Sequence, residues 1–130
     1  MNSENAGKPF ILAVEDDHNS QLLLKFFLRD KYDLCFAVSM GEAIRCLEEQ
    51  DVDLVLVDLS LEGDEDGLDL VRWMRQQKRW RKTPVIATTA HALTKDRDNC
   101  FAAGCDGYLA KPIMRDKLEA SIYHHLHPDS

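Results

Sequence analysis

Three carboxylates, a hydroxyl from one of two adjacent threonines and an ammonium group stand where they could act together. "FILAV" (10–14) runs into Glu15 and Asp16, "LVLV" (54–57) into Asp58, "PVIA" (84–87) into Thr88 and Thr89, and "GYLA" (107–110) into Lys111. Each polar group closes an apolar run short enough to be a buried strand. If those strand ends meet, the carboxylates repel one another unless a cation sits among them. Hard oxygen ligands that leave open positions suit Mg2+, or the similar Mn2+, which keeps waters and shares its shell with phosphate. A carboxylate in that setting can attack phosphorus and form an aspartyl phosphate. The cation offsets charge on the incoming phosphoryl group, and a lysine and a hydroxyl hold its other oxygens. The chemistry implied is Mg2+-assisted phosphorylation of one aspartate.

The elements that must bring these groups together alternate along the chain. Strands are expected at 10–14, 33–38 ("DLCFAV"), 52–58 ("VDLVLVD"), 84–89 and 107–111. Between them, Leu22, Leu23, Phe26 and Phe27 mark a first helix, and Ala43, Ile44 and Leu47 a second behind a capping box of Ser39 and Glu42. Leu68, Val71 and Met74 mark a third, a fourth runs from Thr94 to a C-terminal glycine at Gly104, and Met114, Leu118, Ile122 and Leu126 give a fifth its apolar stripe. Five β–α units imply an α/β fold, a doubly wound parallel sheet with helices on both faces. Groups at the carboxyl ends of such strands share one rim.

At 130 residues the chain suits one domain, expected over 9–127, with 1–8 and 128–130 as flexible ends. A net charge of −7 argues against a nucleic-acid binder, whose affinity comes from neutralising phosphates. No apolar run is long enough to span a bilayer, and "MNSENAGKPF" lacks the form of a secretory signal, so a cytoplasmic location is expected. Cys35, Cys46, Cys100 and Cys105 form no CxxC pair and read as core or helix-face residues. The basic run from Arg72 to Lys82, with Arg75 inside it, reads as a solvated face, and His124, His125 and His127 as a solvated helix end.

Taken in order, "ILAVEDD", "LVLVD", "ATTAHA" and "GYLAKPI" resemble the receiver (CheY-like) domain of two-component response regulators over about 9–127. The resemblance implies a flavodoxin-like sheet of order 2-1-3-4-5 with five helices. It implies Asp58 as phosphoacceptor, with Mg2+ held by the acidic pair Glu15 and Asp16, by Asp58, and by the backbone carbonyl of Ser60. It implies Thr89, followed by Ala90, as the switch hydroxyl and Tyr108 as the aromatic switch residue. Lys111 takes the family's lysine position, before a commonly cis bond to Pro112. The implied partners are a histidine kinase or histidine phosphotransfer protein as donor, and a downstream protein that meets the face of the fourth helix, fifth strand and fifth helix. No direct nucleic-acid or membrane contact is implied, and the chain would be a monomer or a phosphorylation-dependent dimer. The loop "LSLEGDEDG" after Asp58 departs from the family by lacking a proline and running one residue longer, and its acids read as a solvated loop.

Other classes fit less well. An aspartate-nucleophile phosphohydrolase places a second aspartate two residues after the first, where this chain has Ser60. A flavin-binding module needs an uncharged phosphate loop after the first strand, where "EDDHNS" is acidic. A phosphorylation-independent scaffold has no need of the full set of polar groups. The segments "TAHA" and "AGCDGYLAKPI" look like those of hybrid kinases and single-domain regulators. The initiating methionine and short polar lead favour a stand-alone protein over a domain of a hybrid kinase, and the close of the chain after the fifth helix leaves output to protein contact or onward phosphotransfer.

Overall fold

The computed structural model of the chain describes residues 8–59, 67–90 and 94–128. Strands and helices alternate as β1 (Phe10–Val14), α1 (His18–Leu28), β2 (Asp33–Ala37), α2 (Met40–Glu49), β3 (Leu54–Asp58), α3 (Gly67–Gln76), β4 (Val85–Thr89), α4 (Thr94–Ala103), β5 (Gly107–Ala110) and α5 (Arg115–Leu126). The strands pair in parallel in the order β2-β1-β3-β4-β5, the flavodoxin-like arrangement. No helix among the described residues is long and apolar enough to cross a membrane.

Strand alternation sorts the core into two layers. Leu12, Val14, Val55, Val57, Val85 and Ala87 meet α2 and α3 through Ala43, Leu47, Val71 and Met74. Ile11, Ala13, Leu54, Leu56 and Ile86 meet α1 and α5 through Leu24, Leu28, Leu118 and Ile122. Each fully buried Leu or Ile stabilises the fold by about 1.5–3 kcal/mol relative to exposure. Cys46, Cys100 and Cys105 lie in the first layer, and all four cysteines are free.

The sheet begins later than the apolar runs at two places. Asp53 turns its carboxylate to the Phe10 N–H (2.8 Å), so β3 starts at Leu54. Pro84 has no N–H to give the ladder; its carbonyl accepts from Val55 N at 2.9 Å and β4 starts at Val85.

Two helices present different faces from those read off their spacing. On α1, Leu22 (51% exposed), Leu23 (43%) and Phe26 (58%) face outward, while Leu24 and Leu28 are buried and Phe27 is half-buried. Six apolar residues in seven leave several faces available; the cap selects one. Asp17 accepts from Ser20 N at 2.8 Å and sets where the helix leaves β1. On α5, Met114 is the N-cap residue and is exposed, so the buried stripe begins at Leu118. The α2 cap forms as expected at Ser39, which accepts from Glu42 N (3.2 Å), while the Glu42 carboxylate accepts from Val38 N (3.0 Å).

Arg75 is a half-buried strap, not part of a solvated basic face. Its guanidinium donates to the carbonyls of Trp80 (3.1 Å), Arg81 (3.0 Å), Thr83 (2.8 Å) and Gly104 (2.8 and 3.0 Å), and pairs with Asp106 at 2.9 Å. Asp106 also accepts from Val85 N (2.9 Å). Gly104 makes the approach possible. It ends α4 at φ +117°, and a Cβ there would lie 2.7 Å from Arg75 Cγ. His125 likewise leaves the solvated set: its ring nitrogens meet the carbonyls of Ser121 (2.8 Å) and Asp106 (3.0 Å), tying α5 to the start of β5.

Candidate functional site

Four strand ends build the site. Glu15 follows β1, and its N–H bonds Ala37 O of β2 at 2.9 Å. Asp58 closes β3 in register with Thr88, and Leu59 N–H continues the ladder to Thr88 O (2.9 Å). Thr89 closes β4 opposite Ala110, and Lys111 N–H bonds Thr89 O at 2.7 Å. These bonds fix the backbone from which each side chain projects.

The acidic groups converge. Carboxylate oxygens of Glu15, Asp16 and Asp58 lie within 4.8 Å of one another. Glu15 and Asp58 are each only 3% exposed, and Asp16 is half-buried at the rim. Lys111 Nζ stands 2.8 Å from Asp58 Oδ2 and 3.2 Å from Glu15 Oε1. Burial, and then a hydrogen bond with Asp58, push the Glu15 carboxyl up to about 7, although the Asp17 N–H (3.1 Å) and the Lys111 charge oppose this. Burial works against the charge of Lys111, but its bond to Asp58 and the charges of Asp58 and Glu15 outweigh that and raise its pKa. One lysine cannot balance three ionised carboxylates. An all-oxygen set with two buried members and one at the rim fits a hard divalent cation such as Mg2+.

Several neighbours shape this cluster. The first residue of α3, Gly67, lies against the strand end: a Cβ there would be 2.9 Å from Asp58 O and from Val57 Cγ2. Thr88 and Thr89 are both buried. Alternation sets Thr88 on the Asp58 side of the sheet, with Leu56 and Ile86, and Thr89 on the side of Val85 and Ala87. Tyr108 is half-buried and packs against the Val85 and Ala87 side. Ala90 is exposed, and the Lys111–Pro112 bond is cis. A cavity of about 240 Å³ beside it is lined by Tyr108, Pro112, Ile113, Met114 and Lys117 among others. Ser60, the acids Glu62, Asp64, Glu65 and Asp66, and His91 lie outside the described residues, as do 1–7 and 129–130.

Two residues of this neighbourhood are not evident from motif reading. Gln21 Nε2 donates to Glu15 O at 2.5 Å from one turn inside α1. Its only trace in the sequence is an amide four residues after the capping aspartate. Gly67 is visible only as the glycine of "DG", a common turn signal.

Among known proteins, the family model of the response regulator receiver domain matches residues 11–123. The polar-differentiation response regulator DivK of Brucella ovis is 30% identical over 89% of this chain and 94% of its own length. The signal transduction histidine-protein kinase BarA of Shigella flexneri is 32% identical over 83% of this chain, which spans only 12% of that kinase. Among solved structures, the receiver domain of a sensor histidine kinase from Pseudomonas aeruginosa PAO1, with a magnesium ion coordinated in its active site cleft, is 36% identical with a TM-score of 0.83, covering 92% of this chain and 98% of that one.

Proposed function

The chain belongs to the response regulator receiver domain family of two-component signal transduction, and from that membership we propose that residues 9–127 form one receiver whose Asp58 accepts a phosphoryl group. The observation that carries the reading is the buried Asp58 carboxylate, bonded to Lys111 at 2.8 Å within a cluster of three carboxylates. The donor is the phosphohistidine of a histidine kinase or phosphotransfer protein in the cytoplasm. An Asp58 oxygen attacks phosphorus, the P–N bond breaks, and its electron pair returns to the imidazole. Glu15, Asp16, Asp58 and the Ser60 carbonyl would hold Mg2+, or Mn2+, and the cation would offset charge on the phosphoryl oxygens. The magnesium in the cleft of the Pseudomonas relative supports that choice. Lys111 and the Thr89 hydroxyl bind the remaining oxygens. Domains of this family are signalling domains, and the only reactions assigned to this one are its own phosphorylation and dephosphorylation.

Phosphorylation replaces one carboxylate charge by roughly −2. Drawing Thr89 toward the new group frees space for Tyr108 to pack inward, and Ala90 and Pro112 set the backbone on either side. The surface of α4, β5 and α5 then shifts its preference for a downstream protein. The chain spans only 12% of the BarA kinase but 94% of the response regulator DivK. Incubation with Mg2+ and acetyl phosphate tests the reading. One phosphoryl group should be gained by intact mass, and none by Asp58→Asn or in EDTA. Failure to label alongside a labelled control receiver, or labelling of a histidine, overturns it.

A further inference from the structure

The acidic segment after β1 has little sheet to hold it. Glu15 N–H makes the last ladder bond, to Ala37 O at 2.9 Å, and beyond it the backbone leaves β1. The next peptide joins Glu15 to Asp16, so its orientation decides whether both carboxylates reach the same point. Its carbonyl accepts from Gln21 Nε2 at 2.5 Å.

We infer that Gln21 is a positioning residue for the cation site, clamping the Glu15–Asp16 peptide so that both carboxylates face Asp58; the inference rests on the metal-dependent phosphoacceptor reading above. The clamp is not needed to start α1. That end is already capped by Asp17, whose carboxylate accepts from Ser20 N (2.8 Å) and whose carbonyl accepts from Gln21 N (3.0 Å). Nor does the Gln21 side chain fill the core: it is half-buried, its neighbours Leu22 and Leu23 are exposed, and the core contact of this turn belongs to Leu24. The remaining role of the amide is to hold the peptide carbonyl between Glu15 and Asp16, the two residues whose carboxylates cluster with that of Asp58 within 4.8 Å. Fixing that peptide before the cation arrives removes an ordering cost from binding.

The test is a Mg2+ titration by calorimetry at about pH 8, where protons compete little with the cation, on the full chain, Gln21→Leu and Gln21→Ala. Thermal unfolding in EDTA accompanies it. Loss of one positioning hydrogen bond should weaken Mg2+ binding about three- to tenfold in both variants, with unfolding midpoints in EDTA close to wild type. In the acetyl phosphate assay, the Mg2+ concentration for half-maximal labelling should rise far more than the maximal rate falls. Mg2+ affinities indistinguishable from wild type overturn the inference and leave the phosphoacceptor reading standing. So does a fall in affinity matched by an equal loss of metal-free stability, which makes Gln21 a structural residue only. If the wild-type chain binds no Mg2+, the functional reading fails and the inference fails with it.

Discussion

At the scale of single residues, Glu15 links protonation to stability and, on the proposed reading, to cation binding. Its carboxyl titrates near 7 in the fold against an ordinary value of 4.5. The folded state therefore holds this proton more tightly than the unfolded chain. The resulting stabilisation is fully present below the ordinary value and is lost as pH rises through about 7. In EDTA, Glu15→Gln should therefore gain stability over wild type as pH is raised from about 5 to 8, read as urea midpoints. With Mg2+ the proton competes with the cation, so apparent affinity should fall as pH drops below about 7, and more steeply in wild type than in Glu15→Gln. The paired hydroxyls make a second case. Thr88 shares a sheet face with Asp58, whereas Thr89 ends the strand beside Ala110. Thr89→Val should slow acetyl phosphate labelling on the order of tenfold through loss of an oxygen-binding donor. Thr88→Val should act mainly on stability. The reverse result would reassign the switch hydroxyl.

Among the elements, α4 buries few of its described side chains. Of its residues 96–103 only Cys100 is buried, and Phe101 is largely exposed. Its carboxyl end is nevertheless held through Gly104, whose carbonyl takes two bonds from Arg75. Arg75 thus pins three pieces together: the turn after α3, the approach to β4, and the junction of α4 with β5. Replacing it takes a donor from the carbonyls of Trp80, Arg81, Thr83 and Gly104 and the charge partner from Asp106. Arg75→Met should cost about 2–4 kcal/mol in urea unfolding, while leaving the Asp58 chemistry at the opposite end of the strands able to proceed. A variant as stable as wild type would show that water replaces the strap at no cost.

Across the whole molecule, the carboxylate cluster and the long-range side-chain ties lie at opposite ends of the sheet. The chemistry sits on the carboxyl rim of the sheet, while Arg75, Asp106 and His125 tie its other end. On the proposed reading, phosphorylation of Asp58 is expected to act through the rim ends of β4 and β5 and through α4. Hydrogen exchange with Mg2+ and a phosphoryl mimic should change most over 94–126 and little over α2, whose Ala43, Cys46 and Leu47 are buried. Uniform protection across the sheet would instead mean that the ligand stabilises the fold without biasing one face.

Local pattern determined much of this protein. Short apolar runs ending on Glu15, Asp16, Asp58, Thr88, Thr89 and Lys111 were enough to assemble the candidate rim, because a parallel sheet brings its carboxyl ends together whatever the helices between them do. The α2 cap and the glycine that ends α4 are equally local, each fixed within a few residues. Tertiary structure alone decided the rest. The buried face of α1 depended on how the chain leaves β1, since its sequence is apolar on several sides. Arg75 and His125 looked like surface charge because their partners, Gly104 and Asp106, lie 29 and 19 residues away. Gln21 carries no motif; its role follows from a backbone carbonyl, a partner whose availability only the folded chain reveals.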